Sequence, residues 1–213
     1  MQEAQAENEE LKGRVAELTE ENNRLQAEQY ELERLRELYA LDQDYMQYEK
    51  VAARVIAKDS GNWFQIFRIN KGSNDGIKEN MNVIAGGGLV GIVTDVGANY
   101  ATVRSIIDDA SRVSCMSMRS GDNCIVSGDL TLFQEGLLGL DHVKKEADIQ
   151  EGDKIVTSNI SDVFLPGILV GYATELTTDS NNVTKSGQIV PVAEFDNLQE
   201  VLVITQLKDG GEE

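Results

Sequence analysis

Few side chains in this sequence are equipped for catalysis. The 213 residues include one His and two Cys, so a tetrahedral zinc site would have to lean on carboxylates, and no such cluster stands out along the chain. No metal and no cofactor are expected. His142 is the sole imidazole and directly follows Asp141. The serines open to a hydrolase reading, Ser73, Ser127 and Ser158, lack the Gly-Asp-Ser-Gly setting that builds an oxyanion hole from backbone N–H groups. A chymotrypsin-like double-β-barrel hydrolase with His142 as base is the alternative reading. Cys115 and Cys124 lie in strand-like runs as core thiols, and two thiols at this spacing can pair or stay reduced.

Three short motifs match chemistry by letter only. Gly86-Gly87-Gly88-Leu89-Val90-Gly91 satisfies G-x-G-x-x-G, with Asp108 further along where a ribose-binding acid would stand. Dinucleotide binding needs a helix to open at the third glycine and hold pyrophosphate on its N-terminal N–H groups. The residues here, Leu89 to Val96, are β-branched and carry no cap, so the glycines read as a hairpin turn and a strand packed closely on its neighbour. Asp148 to Asp153 lacks the alternating ligands and terminal Glu of a calcium loop and reads as a turn. Asp108-Asp109 would face opposite ways on a strand, which suits a loop better than an acid pair.

Charge narrows the partners. With 37 acidic against 19 basic side chains the net charge is −18, which disfavours nucleic acid and an anionic membrane surface, both of which draw on clustered Lys and Arg. Residues 1–44 alone hold 11 Glu and 2 Asp against 5 basic residues, a net of −8, and contain a single glycine. The other 18 glycines lie beyond residue 60, so two chemically different regions meet near Asp42 to Tyr48.

The elements follow the same division. Leucine recurs every seventh residue at Leu11, Leu18, Leu25 and Leu32; taking these as d places Val15, Asn22 and Gln29 at a. A heptad on a Glu-rich helix predicts a left-handed coiled coil over residues 1–44, and one buried Asn at a favours a parallel, in-register dimer. Gln29 and then Arg36 at the next a positions make the seam weak. After Leu32 the stripe shifts through Leu35, Leu38, Leu41, Tyr45 and Tyr48, which predicts that the helix end leans on its own globular domain. No stretch reaches the roughly 18 to 20 apolar residues that cross a bilayer.

From Val51 to Leu207 twelve short β-branched or apolar runs alternate with turn clusters such as Ser60-Gly61-Asn62, Gly72-Ser73-Asn74-Asp75-Gly76, Ser120-Gly121-Asp122 and Asn181-Asn182. The fold class is therefore mainly β with a long N-terminal α-helix, a coiled coil followed by two small β-barrel domains.

Four segments in order carry a resemblance: Lys71 to Ile77 followed by Met81-Asn82-Val83, Gly88 to Val93, Gly152 to Ser158, and Phe164 to Gly171. Preceded by a coiled coil and closed by the Leu198 to Ile204 strand, the chain resembles the bacterial rod-shape-determining family MreC over nearly all its length. The resemblance implies a noncatalytic scaffold of cell-wall elongation: a single-pass membrane protein whose coiled coil and two barrels lie outside the cytoplasm, with the membrane helix preceding this stretch. It implies a homodimer with further self-assembly, and partnership with a penicillin-binding protein, a glycosyltransferase, MreD, MreB and RodZ. It also implies that one barrel is inserted into the other, with 51–84 plus 154–207 as the first, 85–153 as the second and 208–213 as a disordered tail. The barrels are expected to offer strand edges and loops to the synthase.

Overall fold

The computed structural model describes residues 2–58, 65–178 and 183–208. The turns predicted at 60–62 and 181–182, the start of the strand predicted from Trp63, and the tail from residue 209 lie outside the described residues. Two compact units divide the chain, residues 1–40 and residues 41–213.

Helix α1 runs from Gln2 to Asp44. It is built from strong helix formers without proline, and Arg24 bridges Glu21 and Glu28 at 4.0 and 3.7 Å along its surface. The leucines of the heptad are not covered within the single chain: exposure runs from 48% at Leu32 to 59% at Leu18, and Val15 stands at 62%. Asn22 and Gln29 are exposed on the same helix.

In the second unit the helix end is closed by chemistry from the first strand. The last carbonyls of a helix have no partner within it and carry partial negative charge. Lys50 supplies the cation: its side chain is 4% exposed, and its Nζ donates to the carbonyls of Asp42, Tyr45 and Tyr48 at 3.2, 2.6 and 2.9 Å and lies 3.2 Å from the Asp42 carboxylate. Tyr45 is buried and Tyr48 half-buried, so the helix end packs on the globular domain as the shifted stripe predicts.

Twelve strands follow among the described residues: β1 (Lys50–Lys58), β2 (Ile66–Ile69), β3 (Asn82–Ala85), β4 (Gly88–Val96), β5 (Ala101–Ser105), β6 (Arg112–Ser117), β7 (Asn123–Ser127), β8 (Leu138–Lys144), β9 (Lys154–Thr157), β10 (Leu169–Thr178), β11 (Thr184–Pro191) and β12 (Glu200–Ile204). They form two closed barrels, ordered β1-β12-β3-β4-β5-β2 and β10-β11-β8-β7-β6-β9. Alternation fills each interior. Phe67, Ile69, Val83, Val93, Val103, Val201 and Val203 are buried in the first barrel, and Val113, Val126, Leu138, Leu140, Ile155, Val170 and Ile189 in the second.

The glycine-rich motif is a turn and a strand, not a phosphate loop. Gly86 and Gly87, at φ +56° and +89°, are the two central residues of the β3–β4 hairpin, where a tight turn matching strand twist requires positive φ at both. Gly91 lies against β5, where a Cβ would strike the Arg104 carbonyl oxygen.

Two expectations need correction. The six strands of the second barrel run consecutively from Arg112 to Pro191, between β5 and β12 of the first, instead of occupying 85–153. The two-residue hairpin at Gly86-Gly87 keeps β4 and β5 on the first barrel. Strand β9 in turn pairs with β6 and β10, which commits the chain beyond Lys154 to the second. Secondly, β1 pairs with β2 and β9 with β10, closing both sheets, so among the described residues the barrel strands are paired around each ring instead of ending in an open edge. One short helix, α2 (Leu130–Phe133), was not anticipated; Asp129 caps it by accepting N–H bonds from Thr131 and Leu132 at 2.8 and 3.1 Å.

Candidate interaction surface

The segments that carried the resemblance meet where the two barrels join. Buried Asn82 at the start of β3 accepts the Leu165 N–H at 2.8 Å and donates to the carbonyls of Val163 and Asn80 at 3.1 and 3.3 Å. Thr157 at the end of β9 pins the same loop from inside barrel two: its hydroxyl donates to the Leu165 carbonyl at 2.6 Å and accepts the Ile168 N–H at 2.8 Å. Tyr45 donates to the Gly87 carbonyl and accepts the Leu169 N–H, both at 3.1 Å, and Tyr48 donates to the Pro166 carbonyl at 2.6 Å. The Phe164-Leu165-Pro166-Gly167 loop is thus held by barrel one, barrel two and the end of the helix together. With no Cβ on Gly88, β4 can approach the Leu169 carbonyl, which a Cβ would meet at 2.7 Å. Phe133 of α2 and Phe195 close another part of the core edge to face, with ring centroids 5.5 Å apart.

A charged clamp orders the far side of barrel two. Arg119, in the β6–β7 turn, donates to both oxygens of Asp153 at 2.7 and 2.9 Å, to the Asp148 carboxylate at 2.8 Å and to the Asp148 carbonyl. Asp153 also accepts from the Ser117 hydroxyl at 3.1 Å and the Gln150 N–H at 3.0 Å. These donors, Arg119 first, hold the Asp153 carboxyl below the usual carboxylate range. A carboxyl lowered on folding adds stability that is present above its unfolded pKa of about 3.9 and is lost as pH falls through the folded value. Asp153→Asn is therefore expected to flatten the dependence of unfolding midpoint on pH below about pH 4, read by urea titration at several pH values. An unchanged profile would remove the clamp from the acid response. The acidic run 148–153 is accordingly a turn, as its sequence suggests.

Among the described residues no serine is hydrogen-bonded to His142. His142 is exposed at a bulge of β8 with φ +56°, where Asp141 and His142 face the single residue between Lys185 and Gly187 on β11. Ser127 donates instead to Asp141 at 2.6 Å, Ser158 to Asn123 at 3.1 Å, and Ser73 begins a 3-10 turn whose N–H is held by the Gly97 carbonyl at 2.9 Å. Among the described residues no group of three or more His, Cys, Asp or Glu could hold a metal ion.

What remains chemically distinctive is on the outside. Across β6, β9, β10 and β11 the register places Lys154 opposite Tyr172 and Tyr172 opposite Val190, while the Met118 N–H bonds the Lys154 carbonyl at 2.8 Å. Met118, Tyr172 and Val190 are 67%, 40% and 44% exposed, giving one row of apolar side chains with a lysine in it. On barrel one, exposed Ile66 faces Arg104 across β2 and β5, and Arg68 stands 5.3 Å over the Tyr100 ring. Neither surface could be read from the sequence, because each depends on which strands lie side by side.

The family model for the rod shape-determining protein MreC, barrel core, matches residues 55–205. The chain belongs to the MreC family. A cell shape-determining MreC from Listeria monocytogenes is 30% identical over 209 residues, covering 96% of this chain and 70% of that protein. A solved MreC structure from Listeria superposes with a TM-score of 0.69 at 31% identity and covers 97% of each chain. The fold also matches, at a TM-score of 0.58 and 17% identity, the MreC solved in a complex with penicillin-binding protein PBP2 from Helicobacter pylori. The MreC relatives are named for determining cell shape and not for an enzymatic activity. Within this family the two closed barrels and the N-terminal helix form a scaffold, and the hydrolase reading is set aside.

Proposed function

We propose that this MreC-family chain is a noncatalytic, membrane-anchored scaffold outside the cytoplasm that α1 holds as a parallel dimer and that presents barrel two to a penicillin-binding protein. The observation that carries the reading is that both barrels are closed and filled by side chains, so recognition falls to outward-facing residues. The Met118–Tyr172–Val190 row has the character of such a surface: aromatic and Met side chains are enriched at protein interfaces and supply much of their energy. The Helicobacter complex supports the choice of partner class. A glycosyltransferase, MreD, MreB and RodZ are further partners by family resemblance. The dimer rests on Leu11, Val15, Leu18, Asn22, Leu25, Gln29 and Leu32, whose uncovered side chains lie at heptad spacing.

Titration of the purified chain against the penicillin-binding protein of the same organism tests the contact. Tyr172→Asp with Val190→Asp is expected to weaken binding at least about tenfold while circular dichroism stays β-rich, because both residues face outward and the substitutions replace the apolar contact with carboxylates that binding must desolvate. Binding unaffected by the double substitution would place the contact elsewhere.

A further inference from the structure

Cys115 on β6 and Cys124 on β7 are register partners, directly opposite each other on adjacent antiparallel strands. Both point into barrel two, in the same inward rows as the Val113–Val126 pair, at 0% and 3% exposure. Two residues along each strand the Ser117 N–H bonds the Asp122 carbonyl at 3.0 Å, so alternation makes the cysteine pair a hydrogen-bonded site. At such a site the Cα atoms stand roughly 5.5 Å apart. That separation falls inside the span of about 4.4–6.8 Å that a disulfide bridges.

We propose that Cys115 and Cys124 are a cross-strand disulfide site, closed during folding by exchange with a small-molecule or protein disulfide. The thiolate of one cysteine attacks the oxidant's S–S bond and releases one oxidant thiol. The second thiolate then attacks the resulting mixed disulfide, forms the Cys115–Cys124 bond and releases the other thiol. The pair gives up two protons and two electrons, and the oxidant is reduced to two thiols.

Timing follows from burial. Exchange needs a thiolate in contact with the oxidant. In the folded barrel, desolvation pushes the Cys124 thiol up to about 12 and the Cys115 thiol well above its ordinary value, and both residues are buried. The folded dithiol is therefore inert, and closure belongs to the stage before β6 and β7 are covered by β8 and β9. The Cβ atoms of directly opposite residues stand roughly 4.5–5.5 Å apart, against about 3.5–4.5 Å in a disulfide. The bond thus draws the strands together and is more easily reduced than an unstrained one.

The full chain, unfolded in urea and refolded with oxidised glutathione, is then denatured, alkylated with iodoacetamide and weighed intact. The expected product is lighter by two hydrogen atoms, with no alkyl group and no glutathione. Protein folded while reduced and given the same glutathione for the same time keeps two alkylatable thiols. Cys124→Ser, refolded alongside, takes up one glutathione, which shows that the oxidant reaches Cys115. Two free thiols, two glutathione adducts or a disulfide-linked pair of chains from the refolded wild type would overturn the site. Equally rapid closure in the folded protein would overturn its assignment to folding.

Discussion

Leu18→Asp with Leu25→Asp is expected to convert the proposed dimer to a monomer, read by sedimentation, while the strand signal in circular dichroism is retained. The two leucines occupy successive d positions, with Asn22 at a between them, and on α1 of a single chain they are 59% and 49% exposed. In the proposed dimer a parallel seam covers them against their counterparts, and burying a leucine contributes about 1.5–3 kcal/mol. Four such side chains per dimer are worth about 6–12 kcal/mol, and each 1.4 kcal/mol is about tenfold in affinity, so dissociation rises by at least about four orders of magnitude. The seam is weak to begin with, because Gln29 and Arg36 hold a positions, and it has no reserve for unpaired carboxylates. The barrels carry their own cores and do not draw on this contact. A dimer that survives the double substitution would assign dimerisation to a surface other than α1.

Asn82→Leu is expected to destabilise the globular unit by about 2–5 kcal/mol, read as a lower urea midpoint in the full chain. Leucine keeps asparagine's number of side-chain heavy atoms, and its bulkier methyl groups add overpacking to the lost hydrogen bonds. The Leu165 N–H and the Val163 carbonyl lose their partners where solvent cannot replace them, and each unsatisfied buried group costs about 1–3 kcal/mol. The same loop keeps its bonds to Thr157 and Tyr48, so hydrogen exchange should quicken first at the Leu165 amide, ahead of the β10 amides. An unchanged midpoint would mean that the loop is held to barrel one without Asn82.

These two residues sit on opposite sides of what a linear reading can reach. Leu18 declares its role by spacing, since the heptad is a local period that a helix turns into one face. The twelve strands were legible for a similar reason. Each is a short run of β-branched residues bounded by residues that tolerate turns, and Gly86-Gly87 marked a tight hairpin before its positive φ angles were seen. Asn82 gives no such sign. It is one polar residue at the head of an apolar run, and its partners lie 81 and 83 residues further along the chain.

Sequence alone determined that the chain is a heptad helix followed by small barrels and that its lone His and serines lack a hydrolase setting, because period, turn chemistry and residue inventory are local properties. Tertiary structure decided which strands share a barrel, that the barrels close and remove their edges, that Met118, Tyr172 and Val190 align, and that the two cysteines face each other. Alternation states whether a side chain points in or out. It does not state which strand lies alongside, since strand pairing is a contact between distant segments settled only when both sheets close.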